Sequence, residues 1–198
     1  MRLKILQVGE PVLRAGAREL AVDEIRSPRI QDLIERMRDT MRDAPGVGLA
    51  APQIGESLQL AVVEDLPEYV HGADPAWIAE RERAVVPFSV LINPRLTVTA
   101  EERVEFFEGC LSVAGFTALV ARARAVRVEC LNERAETVVI EARGWHARIL
   151  QHEIDHLNGC LYIDRMERRS FMTTTNHGRY WKERSMESIR AALGLVGK

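Results

Sequence analysis

The sequence predicts an α+β fold: mostly antiparallel β-sheets packed around one buried central helix that carries an H-E-x-x-H pattern. Three observations lead there. Short apolar runs of two-residue periodicity follow one another between Leu58 and Ile140, separated mostly by turn residues, so successive strands are expected to pair antiparallel. The stretch Arg143–Gly159 is apolar on most sides of a helix, with Trp145, Ile149, His152 and His156 along one face and Ala147, Leu150, Ile154 and Leu157 along another, which suits a core position. A chain of 198 residues with 46% apolar content can bury one sizeable core, so residues 1–198 are expected to form a single domain.

Taken in order, Gly9-Glu10-Pro11-Val12-Leu13 reads as a turn entering a short helix, with Pro in a permitted first-turn position. The first strong helix follows. Ser27 is its N-cap, Pro28 its first residue, and Ile30, Leu33, Ile34, Met37 and Met41 recur at helical spacing. Ala44–Gly55 is too rich in Gly and Pro for a helix and too apolar for a surface loop, so a buried or ligand-facing loop is expected. Its G-x-G-x-x-A subset imitates a dinucleotide fingerprint, but a helix precedes it, and Pro52 stands where the phosphate-binding helix would begin.

Leu58–Val63 reads as a strand, and residues 65–85 as an excursion with a short helix started by Asp74-Pro75. Phe88, Val90 and Ile92 alternate up to an Asn93-Pro94 turn signal, and Leu96 and Val98 alternate after it. Further strands are expected at Val104–Glu108, Leu119–Ala121, Val126–Cys130 and Val138–Ile140. Asn158-Gly159 stops the central helix, Leu161-Tyr162-Ile163 reads as a short strand, and Trp181, Met186, Ile189 and Leu193 lie on one side of a last amphipathic helix.

Charge and composition exclude several classes. Lys plus Arg number 27 against 29 Asp plus Glu, a net charge of −2, which makes no electrostatic case for nucleic acid or a membrane surface. No apolar run approaches the roughly 20 residues of a membrane span. The N-terminus MRLKILQVGEPVLR has no signal-peptide core. Three Cys, an odd number without a secretory signal, argue against a disulfide framework and for a reducing, cytoplasmic setting.

The chemistry is concentrated in His152-Glu153-Ile154-Asp155-His156. Two His four residues apart share one face of a helix, which puts two imidazoles on one metal and Glu153 beside the metal's open position. A third ligand is needed. Cys130 alternates with Val126 and Val128 and should point into the core. Cys160 is turned aside by the helix stop. Cys110, at a strand end after Glu108-Gly109, and a downstream Glu, Glu183 or Glu187, stay open as alternatives, with Cys110 ahead.

Three stretches together resemble peptide deformylases: Gly46-Val47-Gly48-Leu49-Ala50-Ala51-Pro52-Gln53, Glu108-Gly109-Cys110-Leu111-Ser112, and Gln151-His152-Glu153-Ile154-Asp155-His156-Leu157-Asn158-Gly159. They occur in the family's order, and the resemblance runs from Gly9 to about Trp181. Val113-Ala114-Gly115-Phe116 and Gly144-Trp145-x-Ala147-Arg148-Ile149 look like the mitochondrial-type branch. The family often has Pro before the Arg matching Arg122, where this chain has Ala121.

The resemblance implies hydrolytic removal of the N-terminal formyl group from formyl-methionyl nascent polypeptides, with formate released. It implies one divalent metal on Cys110, His152 and His156, Fe(II) in the cell, with Ni(II), Co(II) or Zn(II) as substitutes. Water activated at the fourth position attacks the formyl carbon, Glu153 serves as general base and then acid, and Gln53 with the Leu111 backbone N–H stabilises the formyl oxygen. The substrate is expected as an added strand on Val47, Gly48 and Gly109, with Trp145 in the methionine pocket. Apart from the resemblance, Asp155 and Arg122 stay open between a pair that orients the ligand helix and a surface or structural ion pair. A monomer or homodimer is expected, and Arg179, Lys182, Arg184 and Arg190 suggest docking on the ribosome near the exit tunnel. Two readings compete: a zinc endopeptidase using His152, His156 and Glu183, and a structural metal site without catalysis.

Overall fold

Antiparallel pairing dominates the architecture. The computed structural model describes residues 2–71 and 73–195. Among the described residues eight strands are formed: β1 Gly48–Ala50, β2 Leu60–Asp65, β3 Val86–Val98, β4 Arg103–Gly109, β5 Phe116–Ala123, β6 Ala125–Leu131, β7 Thr137–Arg143 and β8 Met172–Thr173. Seven helices accompany them: α1 Val22–Ile25, α2 Pro28–Asp43, α3 Pro67–Val70, α4 Pro75–Glu80, α5 Gly144–Leu157, α6 Thr174–Tyr180 and α7 Met186–Ala192. One sheet has the order β1-β2-β3-β6-β7 and the other β4-β5-β8, so β1 and β4 are edge strands, each with one side free of strand pairing.

Helix α2 begins where its cap predicts. Ser27 Oγ accepts the Ile30 N–H, Pro28 needs no partner in the first turn, and Ile30, Leu33, Ile34, Met37 and Met41 are buried. They pack on Leu49, Leu60, Val62, Val90 and Ile92 from the larger sheet. Each such side chain stabilises the fold by about 1.5–3 kcal/mol.

Helix α5 packs its Ala147, Ile149, Leu150, Ile154 and Leu157 with Ala61, Val63, Leu91, Val126 and Val128. It starts at Gly144, whose φ is +56° and where a Cβ would lie 2.4 Å from Glu82 Cβ, so only glycine fits that corner. It stops at Gly159, with φ +73°, and the Cys160 N–H donates to the Asp155 carbonyl as the chain turns away.

Four sequence expectations are corrected. Asn93-Pro94 does not turn the chain. It is a bulge inside the continuous strand β3, with Asn93 at φ +51° and its side chain exchanging two hydrogen bonds of 2.9 Å with the Leu20 backbone. Leu161–Ile163 is not a strand, because Asp164 captures the Leu161 N–H at 2.8 Å and closes a 3₁₀ turn over Tyr162–Asp164. The Ala44–Gly55 loop contains regular structure, β1 and a 3₁₀ turn over Ala51–Ile54. The last helix is two, since Ser185 caps a new start at Met186; Trp181, Met186, Ile189 and Leu193 still gather in one apolar group with Leu119. No helix among the described residues is long and apolar enough to cross a membrane.

Candidate metal centre and substrate cleft

Helix α5 presents His152, Glu153 and His156, and the chain leaving β4 brings Cys110 against them. The ligand atoms of Cys110, His152 and His156 all lie within 4.8 Å of one another, with Cys110 Sγ 3.2 Å from His156 Nε2. The alternatives lie elsewhere. Glu183 and Glu187 are exposed, and neither belongs to a metal-competent group among the described residues. Cys130 is a core side chain whose thiol is pushed up to about 11 by burial. Cys160 belongs to no metal-competent group among the described residues, and its Sγ lies 3.7 Å from the Leu161 carbonyl oxygen.

Behind the histidines stands a buried ionic network. Glu108 Oε2 is 3.0 Å from His152 Nδ1, which leaves Nε2 as the ring nitrogen free to ligate. Glu108 also accepts Arg122 Nε and Nη2 at 2.9 Å each and Arg148 Nη1 at 2.6 Å. Burial alone would raise the Glu108 carboxyl, but His152 and Arg122 hold it well below the usual carboxylate range. Arg122 continues to Asp155, which Arg165 grips at 2.6 and 2.7 Å.

The expected Arg122–Asp155 contact is therefore present, but the larger part of the network, through Glu108 and Arg148, escaped sequence reasoning. A signal existed. Phe106 and Glu108 alternate inward on β4, and a buried carboxylate needs partners.

The two imidazoles differ. Burial and the nearby His152 push His156 well below its ordinary pKa, so it stays neutral, as a ligand must. Burial also opposes charging His152, yet Cys110 and Glu108 hold its pKa well above the ordinary value.

Glu153 is 4% exposed, its Oε2 has no protein partner, and burial pushes its carboxyl up to about 7. Its other oxygen lies over Gly48, where a Cβ would come within 2.2 Å of Oε1. Gln53, 2% exposed, is aimed by its own backbone turn: Oε1 accepts the Ala50 N–H at 2.8 Å. Its Nε2 donates to Ser112 Oγ at 3.2 Å and to Cys110 Sγ at 3.5 Å. Ser112, another residue not anticipated from sequence, sends its N–H to Cys110 Sγ at 3.4 Å.

One cleft of about 340 Å³ gathers Val47, Gly48, Gln53, Gly109, Cys110, Leu111, Trp145, His152 and Glu153. His156 does not line it, being 1% exposed beneath the other ligands. Ile149 lines it too, and so do Arg148, Phe116 and Thr174, which sequence reasoning did not place in the site. The arrangement combines a thiol, two imidazoles, an unpaired carboxylate and an amide at the floor of a mostly apolar cleft, parts suited to metal-assisted hydrolysis.

The family model for polypeptide deformylase matches residues 2–171. Peptide deformylase 3 of Streptomyces avermitilis is 45% identical over 197 residues, which cover 98% of this chain and 84% of that protein. The chloroplastic peptide deformylase 1A of Solanum lycopersicum is 46% identical over 172 residues, 87% of this chain; the match spans only 62% of that relative's length. Among solved structures, the Met-Ala-Ser-bound class I type b peptide deformylase from Acinetobacter baumannii superposes with a TM-score of 0.74 at 32% identity, covering 84% of this chain and 99% of that one. With its motifs, fold and cleft in agreement over most of its length, the chain belongs to the polypeptide deformylase family.

Proposed function

We propose that this chain hydrolyses the formamide bond of N-terminal formyl-methionyl peptides, releasing formate and a free amino terminus. The observation that carries the proposal is the convergence of Cys110, His152 and His156 at a cleft floor beside the unpartnered oxygen of Glu153. Cys110 Sγ and the two imidazoles would hold a divalent ion. A mixed thiolate and imidazole set suits Fe(II), the ion proposed for the cell, and accepts Zn(II), Ni(II) or Co(II). When bound, the ion lowers the pKa of a water molecule and polarises the formyl oxygen.

The chain's own residues do the rest. Glu153 takes the proton of the attacking water and delivers it to the leaving amine, and its raised pKa suits both roles. The Gln53 amide and the Leu111 backbone N–H donate to the oxygen that gains charge, a role supported by the aim of Gln53 Nε2 toward Cys110. Glu108 fixes the tautomer and ring plane of His152.

Strands β1 and β4 both border the cleft with unpaired edges, so an extended peptide can add to Val47 and Gly48 on one side and Gly109 on the other. The Met-Ala-Ser held by the Acinetobacter relative is a peptide of the class this geometry would accept. Burial of α5 against the larger sheet supports the helix as the centre around which the two sheets pack, with residues 1–198 as one catalytic domain.

Ribosome docking rests on the exposed Arg179, Lys182 and Arg184, because Arg190 is bound to Glu105. Failure to co-sediment with ribosomes at low salt would end that part of the proposal. The central test is formate release from formyl-Met-Ala-Ser by anaerobically prepared, Fe(II)-loaded protein. Glu153→Ala is expected to retain the metal and lose turnover. No formate from the loaded wild-type chain would overturn the function, and an active Glu153→Ala protein would overturn the base assignment.

A further inference from the structure

Residues 66–85, between β2 and β3, take no part in the chemistry above, yet they end against a wall of the cleft. Arg83 packs against two neighbouring indoles: its guanidinium carbon is 5.3 Å from the ring centre of Trp77 and 5.3 Å from that of Trp145. The rings themselves are 6.3 Å apart at 50°. The guanidinium is not free to swing. Asp65, the fully buried last residue of β2, accepts Nε at 2.7 Å and Nη2 at 2.8 Å in a two-pronged grip. The Trp145 backbone N–H also donates to the Arg81 carbonyl at 2.8 Å.

Trp145 has no comparable anchor of its own. Its Nε1 is buried without a hydrogen-bond partner, so no directional bond sets the indole plane. What orients it is packing and the cation fixed above its face. Trp145 lines the cleft, and Arg83 does not.

We propose that Arg83 is a positioning residue for substrate selection, holding the Trp145 indole so that the cleft fits a long, unbranched apolar side chain and discriminates against bulkier ones. The proposal rests on the deformylase reading for its substrate, and on the geometry alone for the hold on Trp145. Through Asp65 the brace also ties β2, the partner of β1, to the first turn of α5, so it joins the cleft's strand wall to its helix wall.

The test compares formyl-Met-Ala-Ser with formyl-Phe-Ala-Ser in wild type, in Arg83→Lys, and in the paired change Arg83→Met with Asp65→Asn, which leaves no buried charge unmatched. In the paired change the hold lost is that of one cation on an aromatic face, so KM for the methionyl peptide is expected to rise about tenfold at unchanged kcat. The preference for methionine over phenylalanine in kcat/KM is expected to fall by a similar factor. An independent reading uses Trp77→Phe with Trp181→Phe, which leaves Trp145 as the only indole: adding Arg83→Lys should red-shift its emission and open it to acrylamide quenching. Unchanged selectivity in folded variants, or a fall in kcat at constant KM, would overturn the proposal. If the wild-type chain released no formate at all, the deformylase reading would fail by itself. The Trp145 emission would then still decide whether Arg83 holds the indole, an unchanged spectrum overturning it.

Discussion

Replacing Gly48 with Ala is expected to cripple turnover without emptying the metal site. A Cβ at this position would lie 2.2 Å from Glu153 Oε1, 2.5 Å from its Cδ and 2.7 Å from its Cγ. Non-bonded carbon and oxygen need more than about 3 Å, so the carboxylate must retreat by about 1 Å. The backbone of Gly48 cannot yield instead, because it is paired in register with Val63 in the larger sheet. A displacement of about 1 Å in a reacting group typically costs about a hundredfold in rate, or ~2.7 kcal/mol of barrier. The assay is formate release with formyl-Met-Ala-Ser at saturation, alongside metal content by mass spectrometry. The expected result is kcat down about a hundredfold with one metal ion still bound. A Gly48→Ala protein with near wild-type kcat would refute the placement of Glu153 over Gly48 as the working geometry. So would a loss accounted for entirely by missing metal.

Glu108→Gln leaves Arg148 buried with a neutral partner and Arg122 with Asp155 as its one remaining carboxylate, so a stability loss of about 3–5 kcal/mol is expected in chemical denaturation. The same change frees His152 Nδ1 from its carboxylate, and metal affinity should drop by about 10–100-fold in a chelator competition; unchanged affinity would remove Glu108 from the metal site's support. His146 supplies a pH test remote from the ligands. Burial lowers its pKa, with Asp65 opposing weakly, so the folded state binds its proton less readily than the unfolded chain does. Its contribution is complete above the unfolded value near 6.5 and is lost as pH falls through the lower folded value. His146→Gln should therefore flatten the drop in Tm between about pH 7 and 5, and an unchanged slope would reject that origin.

Much of the fold is readable from short-range rules. Ser27-Pro28 and Asn158-Gly159 mark helix ends because caps act within one turn. The misreadings differ in cause. Asn93 sits in a bulge where its amide meets Leu20, remote in sequence, whereas Leu161–Ile163 is drawn into a 3₁₀ turn by the nearby Asp164.

The same division holds in the site. His152, Glu153 and His156 come from one helix face and are legible at once. Cys110 reaches His156 across 46 residues, so the residues alone put it ahead of a downstream Glu without closing that alternative. Glu108 sits inside a recognised motif, yet its role depends on Arg122 from the neighbouring strand and Arg148 from α5, which the fold brings to it. The Arg83 brace belongs to no motif at all, since it is made by an excursion meeting the helix start in space.

The ligand set itself is the most direct thing to measure. X-ray absorption on the zinc-substituted protein, prepared without oxygen, counts sulfur and nitrogen neighbours independently of turnover. One sulfur at about 2.3 Å and two imidazole nitrogens at about 2.0–2.1 Å, with one light atom left in the first shell, are expected for Cys110, His152 and His156. The sulfur signal should vanish in Cys110→Ala. A first shell with no sulfur, or with four protein ligands and no exchangeable position, would contradict the metal centre on which the proposed hydrolysis depends.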